Sequence, residues 1–166
     1  MVEHNIQLDK TVSYPLGQYI DSSIESIDSI IDFFAKKAKN DILSNDKIGI
    51  VCRGSSGCIM AAFLYRKLRK IKSKQSNSEV KIFHIKKKGE VAHSNTPSLF
   101  FAEDNPLYIW IDDFIDSGET YNACLLKMRK YLGNDFEFDW SVCVSCGENI
   151  EGTKNLLTSN KKVYEG

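Results

Sequence analysis

Leu107-Tyr108-Ile109-Trp110-Ile111, running into Asp112-Asp113-Phe114-Ile115-Asp116-Ser117-Gly118-Glu119-Thr120, decides the fold of this chain. The apolar opening is rich in β-branched and aromatic residues, as expected of a strand buried on both faces. An acidic loop follows, and then a helical stretch to about Leu132. Working outward, the same alternation recurs. Lys47-Ile48-Gly49-Ile50-Val51-Cys52 reads as a short buried strand, Arg53-Gly54-Ser55-Ser56-Gly57 as a loop, and Cys58 toward Ile71 as a helix. Residues 72–79 form a polar connector, Val80 to Ile85 alternates as a strand does, and Phe138 to Ser145 is a last core strand before a polar tail. Upstream, residues 1–17 read as irregular around Pro15 and Gly17. A helix is expected from Ser22, where Ser22-x-x-Glu25 has the form of a capping box and Ile20, Ile24, Ile27, Ile31, Phe34 and Ala38 recur every three or four residues. Alternating strands and helices predict an α/β class with a mainly parallel central sheet flanked by helices. In such sheets ligands lie beyond the carboxyl ends of the strands, where the 53–57 and 112–120 loops both fall.

Composition narrows the function classes. The chain has 166 residues, 42% of them apolar and 27% charged, with 22 basic against 22 acidic side chains. This is enough for one domain with its own core. A zero net charge supplies no field to draw the protein onto nucleic acid or an anionic membrane, so neither is expected as a partner. Any phosphate binding must be local, made by a shaped loop. No apolar run approaches the ~20 residues that span a bilayer. The start, Met1-Val2-Glu3-His4-Asn5, has neither the basic opening nor the apolar stretch of a secretory signal. Five cysteines, at 52, 58, 124, 143 and 146, are an odd number and read as reduced thiols of a cytoplasmic protein. Cys143-x-x-Cys146 has half of a zinc spacing but no second pair to complete it.

The chemistry is concentrated in residues 112–120. Two acidic side chains at the end of a buried strand are costly unless something satisfies them. Sugar hydroxyls and a hydrated divalent cation would each do so. The free backbone N–H groups of Asp116-Ser117-Gly118-Glu119-Thr120, with the Ser117 and Thr120 hydroxyls, form an anion cradle at a helix start, and Gly118 permits a tight turn around a phosphate. A lone acidic pair before Ser-Gly would be read as a solvated loop with a helix cap. The full order of apolar strand, acidic pair, two apolar residues and then Asp-Ser-Gly-x-Thr argues for a binding site instead.

Ile109 to Thr120 resembles the signature that binds 5-phosphoribosyl 1-pyrophosphate (PRPP) in the type I phosphoribosyltransferases, and the resemblance extends from about residue 47 to 145. It implies a single domain over 1–166, with a core of about 40–146 and a small hood from about 1–20 and 147–166. It further implies that Asp112 and Asp113 hold the ribose hydroxyls and a Mg²⁺ ion, and that Asp116, Ser117, Gly118, Glu119 and Thr120 cup the 5-phosphate. Arg53-Gly54-Ser55-Ser56-Gly57 resembles the family's pyrophosphate loop, with Arg53, Gly54 and Ser55 as contacts. Lys86-Lys87-Lys88-Gly89, with His93-Ser94-Asn95, resembles the mobile catalytic loop, making Lys87 and Lys88 candidates for leaving-group stabilisation. The long connection through residues 88–105 then reads as a lid.

An Asp at position 116 resembles the 6-oxopurine enzymes, where it faces the purine N7. The lysine those enzymes carry shortly after the last core strand has no counterpart: Cys146-Gly147-Glu148-Asn149 follows Ser145, and the nearest lysine is Lys154. Trp140 and Ile115 are the candidate base contacts. The resemblance thus implies phosphoribosyl transfer from PRPP to a nucleobase, by a cytoplasmic homodimer. The alternatives are an orotate or other acceptor, and a non-catalytic PRPP or nucleotide sensor.

Overall fold

The computed structural model describes residues 16–87, 98–100, 102–115, 118–146 and 163–165. Their elements follow in the order α1 (Leu16–Lys37), α2 (Lys39–Ser44), β1 (Lys47–Arg53), α3 (Gly54–Lys72), β2 (Glu79–Ile85), a 3₁₀ turn (Ala102–Asp104), β3 (Leu107–Ile115), α4 (Glu119–Leu132), β4 (Trp140–Cys146) and β5 (Val163–Glu165). The strands form one sheet in the order β2-β1-β3-β4-β5, and every pairing is parallel. The expected α/β class and parallel sheet are therefore present.

Period-two alternation sends each strand's side chains to two separate cores. Ile48, Ile50, Ile109, Ile111 and Val142 pack with Phe34 of α1 and with Met60, Leu64 and Leu68 of α3. Val51, Tyr108, Trp110 and Cys143 face the other way, onto Tyr121, Cys124 and Met128 of α4 and onto Phe138. Since both faces are covered, the central strands read as nearly unbroken apolar runs.

Gly49 is the point of closest approach in this second layer. A β-carbon there would stand 2.5 Å from the Tyr108 ring and 2.9 Å from Phe83. Tyr108 is itself held, because its hydroxyl donates to the Phe100 carbonyl oxygen at 3.0 Å. Gly49→Ala is therefore expected to destabilise the fold by about 1–3 kcal/mol through overpacking, read as a lowered midpoint in urea with an unchanged slope.

Several boundaries differ from the sequence reading. Helix α1 begins at Leu16, so Ser22 and Glu25 lie within it rather than at its start. The apolar spacing already runs through that point from Ile20, and a long stripe with a core to pack against outweighs one local cap. Helix α3 begins at Gly54 rather than Cys58, with no intervening loop. Gly54 adopts φ +72°, which turns the extended chain at Arg53 directly into a helix. Strand β4 starts at Trp140, not Phe138. The Asp139 carboxylate accepts the Tyr108 N–H at 2.8 Å, and the Asp139 N–H donates to the Tyr108 carbonyl at 3.0 Å. Phe138 meanwhile turns into an edge-on cluster with Tyr121 and Phe136. Finally, residues 163–165, read as polar tail, pair with Ser141 to Cys143 as a fifth strand.

Candidate active site

The strand order places a topological switch between β1 and β3. From β1 the chain passes through α3 outward to β2, then crosses back to β3 on the other side of β1. The connections leave the sheet in opposite directions, and a crevice opens at the carboxyl ends of those two strands. Arg53 ends β1 opposite Ile85, the last residue of β2, so Lys86 and Lys87 emerge beside it. Asp112 and Asp113 lie in the carboxyl-terminal half of β3, with Asp112 opposite Cys143 of β4.

Asp112 is only 5% exposed. Its Oδ1 accepts the Asp113 backbone N–H at 3.0 Å. A β-carbon on Gly57, in the first turn of α3, would stand 3.3 Å from that same oxygen. The missing side chain at Gly57 thus leaves the room the carboxyl occupies. Burial pushes the Asp112 carboxyl up to about 7; the neighbouring Asp113 carboxyl adds to the rise, and Lys87 draws it partly back. Asp113 is only half-buried, the more open of the pair.

Lys87 closes the other side. A β-carbon on Gly54 would lie 3.2 Å from both its Cε and its Nζ. The lysine head therefore lies against the bare backbone where β1 becomes α3, within electrostatic reach of Asp112. Arg53 adds a second cation: its Nε is buried and has no hydrogen-bond partner among the described residues. A buried guanidinium N–H without a partner is the kind of donor that an anion or bound water satisfies. Ser55 is exposed in the first turn of α3.

On the β3 side, Gly118 takes φ +76° and precedes α4 with no side-chain cap. The helical ladder begins with the Asn122 N–H donating to the Gly118 carbonyl at 2.9 Å, which leaves the earlier N–H groups of α4 outside it. Glu119 is exposed and Thr120 half-buried in this first turn. Asp116, Ser117 and Lys88, together with His93, Ser94, Asn95 and most of the expected lid, lie outside the described residues. The same holds for the hood, apart from the start of α1 and β5. The Ile115 backbone pairs with Cys146 at the carboxyl end of the sheet.

Trp140 is a correction. It starts β4 opposite Ile109, at the amino end of that strand and away from the crevice. It is buried, meets Phe34 edge-on at 5.4 Å, and its indole N–H donates to Asp41 Oδ2 at 2.9 Å. With its ring in the α1 core and its N–H bonded, it has no face to offer a base at this site. Gly57 is read from the sequence only as the end of the 53–57 loop, whereas its bare position makes room for the Asp112 carboxyl. Its signal was the Gly54-x-x-Gly57 spacing, which in a first helical turn puts both bare positions on one side.

A divalent cation fits the donor set in one form. Asp112 and Asp113 are adjacent carboxyls, and no group of three or more His, Cys, Asp or Glu side chains able to hold a metal gathers among the described residues. Magnesium is commonly bound in this way, by one or two carboxylates with the remaining positions filled by water and substrate phosphates. The cysteines add no such group among the described residues.

The fold superposes on that of an adenine phosphoribosyltransferase with a TM-score of 0.55 and 16% identity, over 84% of this chain and 78% of that one. The adenine phosphoribosyltransferase of Saccharomyces cerevisiae, crystallised with an imino-altritol bisphosphate and adenine, gives 0.55 and 16%, over 84% and 77%. This chain has the type I phosphoribosyltransferase fold. A hypoxanthine phosphoribosyltransferase of Trypanosoma cruzi aligns at 0.48 with 15% identity, over 78% and 79%. No family model matches the sequence, and no curated protein matches it. Within this fold the carboxyl ends of β1 and β3 bring together Asp112, the bare positions at Gly54 and Gly57, Lys87 and Arg53. Among the described residues no helix is long and apolar enough to cross a membrane.

Proposed function

We propose that the chain is a Mg²⁺-dependent phosphoribosyltransferase that moves the 5-phosphoribosyl group of PRPP to a nucleobase and releases pyrophosphate. One observation carries the reading: Asp112, Lys87, the bare turn at Gly54 and Gly57 and Arg53, whose buried Nε has no partner among the described residues, meet at the switch point of a parallel sheet. A carboxyl pair beside two cations and exposed amides matches a pentose with a phosphate at one end and a pyrophosphate at the other.

In the reaction a base nitrogen bonds to the anomeric carbon as the bond to the pyrophosphate oxygen breaks. Positive charge grows on the ring while negative charge grows on the leaving group. Asp113, and Asp112 once ionised, hold the ribose hydroxyls and fix the ring. Arg53, Lys87 and the amides at the start of α3 face the leaving pyrophosphate, where their fixed charge is worth most. The first turn of α4, with Gly118, Glu119 and Thr120, takes the 5-phosphate together with Asp116 and Ser117. Bound Mg²⁺ supplies further charge neutralisation on the substrate oxygens, and Asp112 and Asp113 are the residues that would hold it. Lys88 and the segment through residue 105 close over the site and keep water out.

Asp116 directs the choice of base toward a 6-oxopurine, and Ile115, not Trp140, remains as the base contact on β3. The reading includes a homodimer working in the cytoplasm. A pyrophosphate-release assay with PRPP, Mg²⁺ and a panel of adenine, hypoxanthine, guanine, xanthine and orotate tests it. The expected result is turnover with hypoxanthine or guanine above the other bases. Binding of PRPP without turnover on any base would make the protein a sensor, and no binding at all would remove the reading.

A further inference from the structure

The turn that carries Arg53 and Gly54 begins and ends on a thiol. Cys52 is the residue before Arg53 on β1 and is fully buried, whereas Cys58 sits in the second turn of α3 and is partly exposed. Their sulfurs stand 3.8 Å apart, and both are free. Cys124 and Cys143 belong to the core on the opposite face of the sheet. Phosphoribosyl transfer uses neither Cys52 nor Cys58. The residues between them, 53–57, are the whole of the segment assigned above to the pyrophosphate.

We propose that Cys52 and Cys58 are a reversible disulfide site, whose closure ties residues 53–57 into a ring and weakens anion binding at the start of α3. The disulfide itself is independent of the proposed function, while its effect on the ligand rests on that reading. The oxidant class is a peroxide. The Cys58 thiolate attacks one peroxide oxygen, the O–O bond breaks, and hydroxide leaves to become water, giving a sulfenic acid. The Cys52 sulfur then attacks the Cys58 sulfur and the S–O bond breaks. Hydroxide leaves with the Cys52 proton as a second water. Two thiols have lost two electrons and two protons, and one peroxide has become two waters.

The order of events follows from exposure, since Cys58 is the partly exposed residue of the pair and Cys52 is buried. Burial pushes the Cys52 thiol up, and the Cys58 sulfur beside it adds to the rise, which suits Cys52 as the resolving partner rather than the first to react. A disulfide bond is about 2.05 Å long, so the sulfurs must approach well inside their present separation. The turn between them has little slack. Gly57, next to Cys58, has Asp112 Oδ1 3.3 Å from its β-carbon position, and Gly54 has Lys87 at 3.2 Å. In a close-packed region, movement at Cys58 is transmitted to those contacts.

The test treats the full chain with hydrogen peroxide, alkylates remaining thiols and maps peptides after trypsin, which cuts after Arg53 and so separates the two cysteines when reduced. The expected result is a Cys52–Cys58 linked peptide with the mass loss of two hydrogens, reversed by dithiothreitol. PRPP affinity by calorimetry should fall by about tenfold or more in the linked protein. Cys58→Ser should form no link and keep its affinity after peroxide. Absence of the linked peptide, a link through Cys124, Cys143 or Cys146 instead, or a linked protein with unchanged PRPP affinity would overturn the inference. If the reduced chain binds no PRPP, the phosphoribosyltransferase reading fails by itself and the linkage map still decides the thiol pair.

Discussion

Alanine at Asp113 is expected to lower kcat/KM for PRPP by at least about 10²-fold, equivalent to about 3 kcal/mol of lost transition-state stabilisation. Asp113 is the more open of the two carboxyls and the one free to meet ribose hydroxyls without first breaking into the core. The variant should stay folded. Alanine loses the side-chain contact between the two carboxyls but keeps the Asp113 backbone N–H that donates to Asp112 Oδ1. Removing the Asp113 carboxyl also takes away one of the influences that raise the Asp112 carboxyl, so the melting temperature should hold or increase slightly. Steady-state kinetics and a thermal melt on the same sample separate the two effects. Near-normal turnover would refute the ribose assignment.

Asp112→Asn should do something different: inactivate the protein while stabilising it above neutral pH. The carboxyl is raised from 3.8 to about 7 in the fold, chiefly by burial. In the unfolded chain it has its ordinary value. Between those two values the native state holds a proton that the unfolded state has released. Stability is therefore fully present below about pH 4, falls as pH rises, and levels off once pH passes the folded value. A shift of this size corresponds to about 4 kcal/mol. The neutral amide escapes that loss but keeps a polar group buried, so the net gain at pH 8.5 is expected to correspond to about 5–10 °C in Tm. Melts from pH 4 to 9 should converge at the acid end and separate at the alkaline end. A variant less stable than the parent at pH 8.5 would contradict the buried placement of Asp112.

When PRPP and its cation arrive, positive charge beside Asp112 favours the ionised form. Binding near neutral pH should then release protons, in the same window where stability declines.

The sequence made the sheet legible because parallel strands covered on both sides must be apolar along their length, and 47–52 and 107–111 are. It drew attention to the proposed ribose and phosphate segment for the opposite reason, since an acidic pair is costly in such an apolar strand. The misplaced features depend on contacts distant in sequence. Whether 53–57 was loop or helix turned on the φ of Gly54, and nothing in Gly-Ser-Ser-Gly alone dictates a turn completed in one residue. Trp140 was assigned by chemical type, although its place near the start of a strand already put it at the wrong end of a parallel sheet. Gly57 acquires its role only because Asp112, far along the chain, comes to rest against it. Residues 163–165 are too few to show a strand period, and their pairing is fixed by β4.

On the proposed reading the carboxyl ends of β1 and β3 hold one phosphorylated pentose. A crystal structure of the chain with PRPP, Mg²⁺ and an unreactive base analogue tests it most directly. The predicted density has ribose hydroxyls on Asp112 and Asp113, the 5-phosphate at the first turn of α4 and the pyrophosphate between Arg53, Lys87 and the start of α3. Density for the ligand anywhere else on the sheet, or a crevice that stays filled by the Asp112 and Lys87 side chains at saturating PRPP, would contradict it.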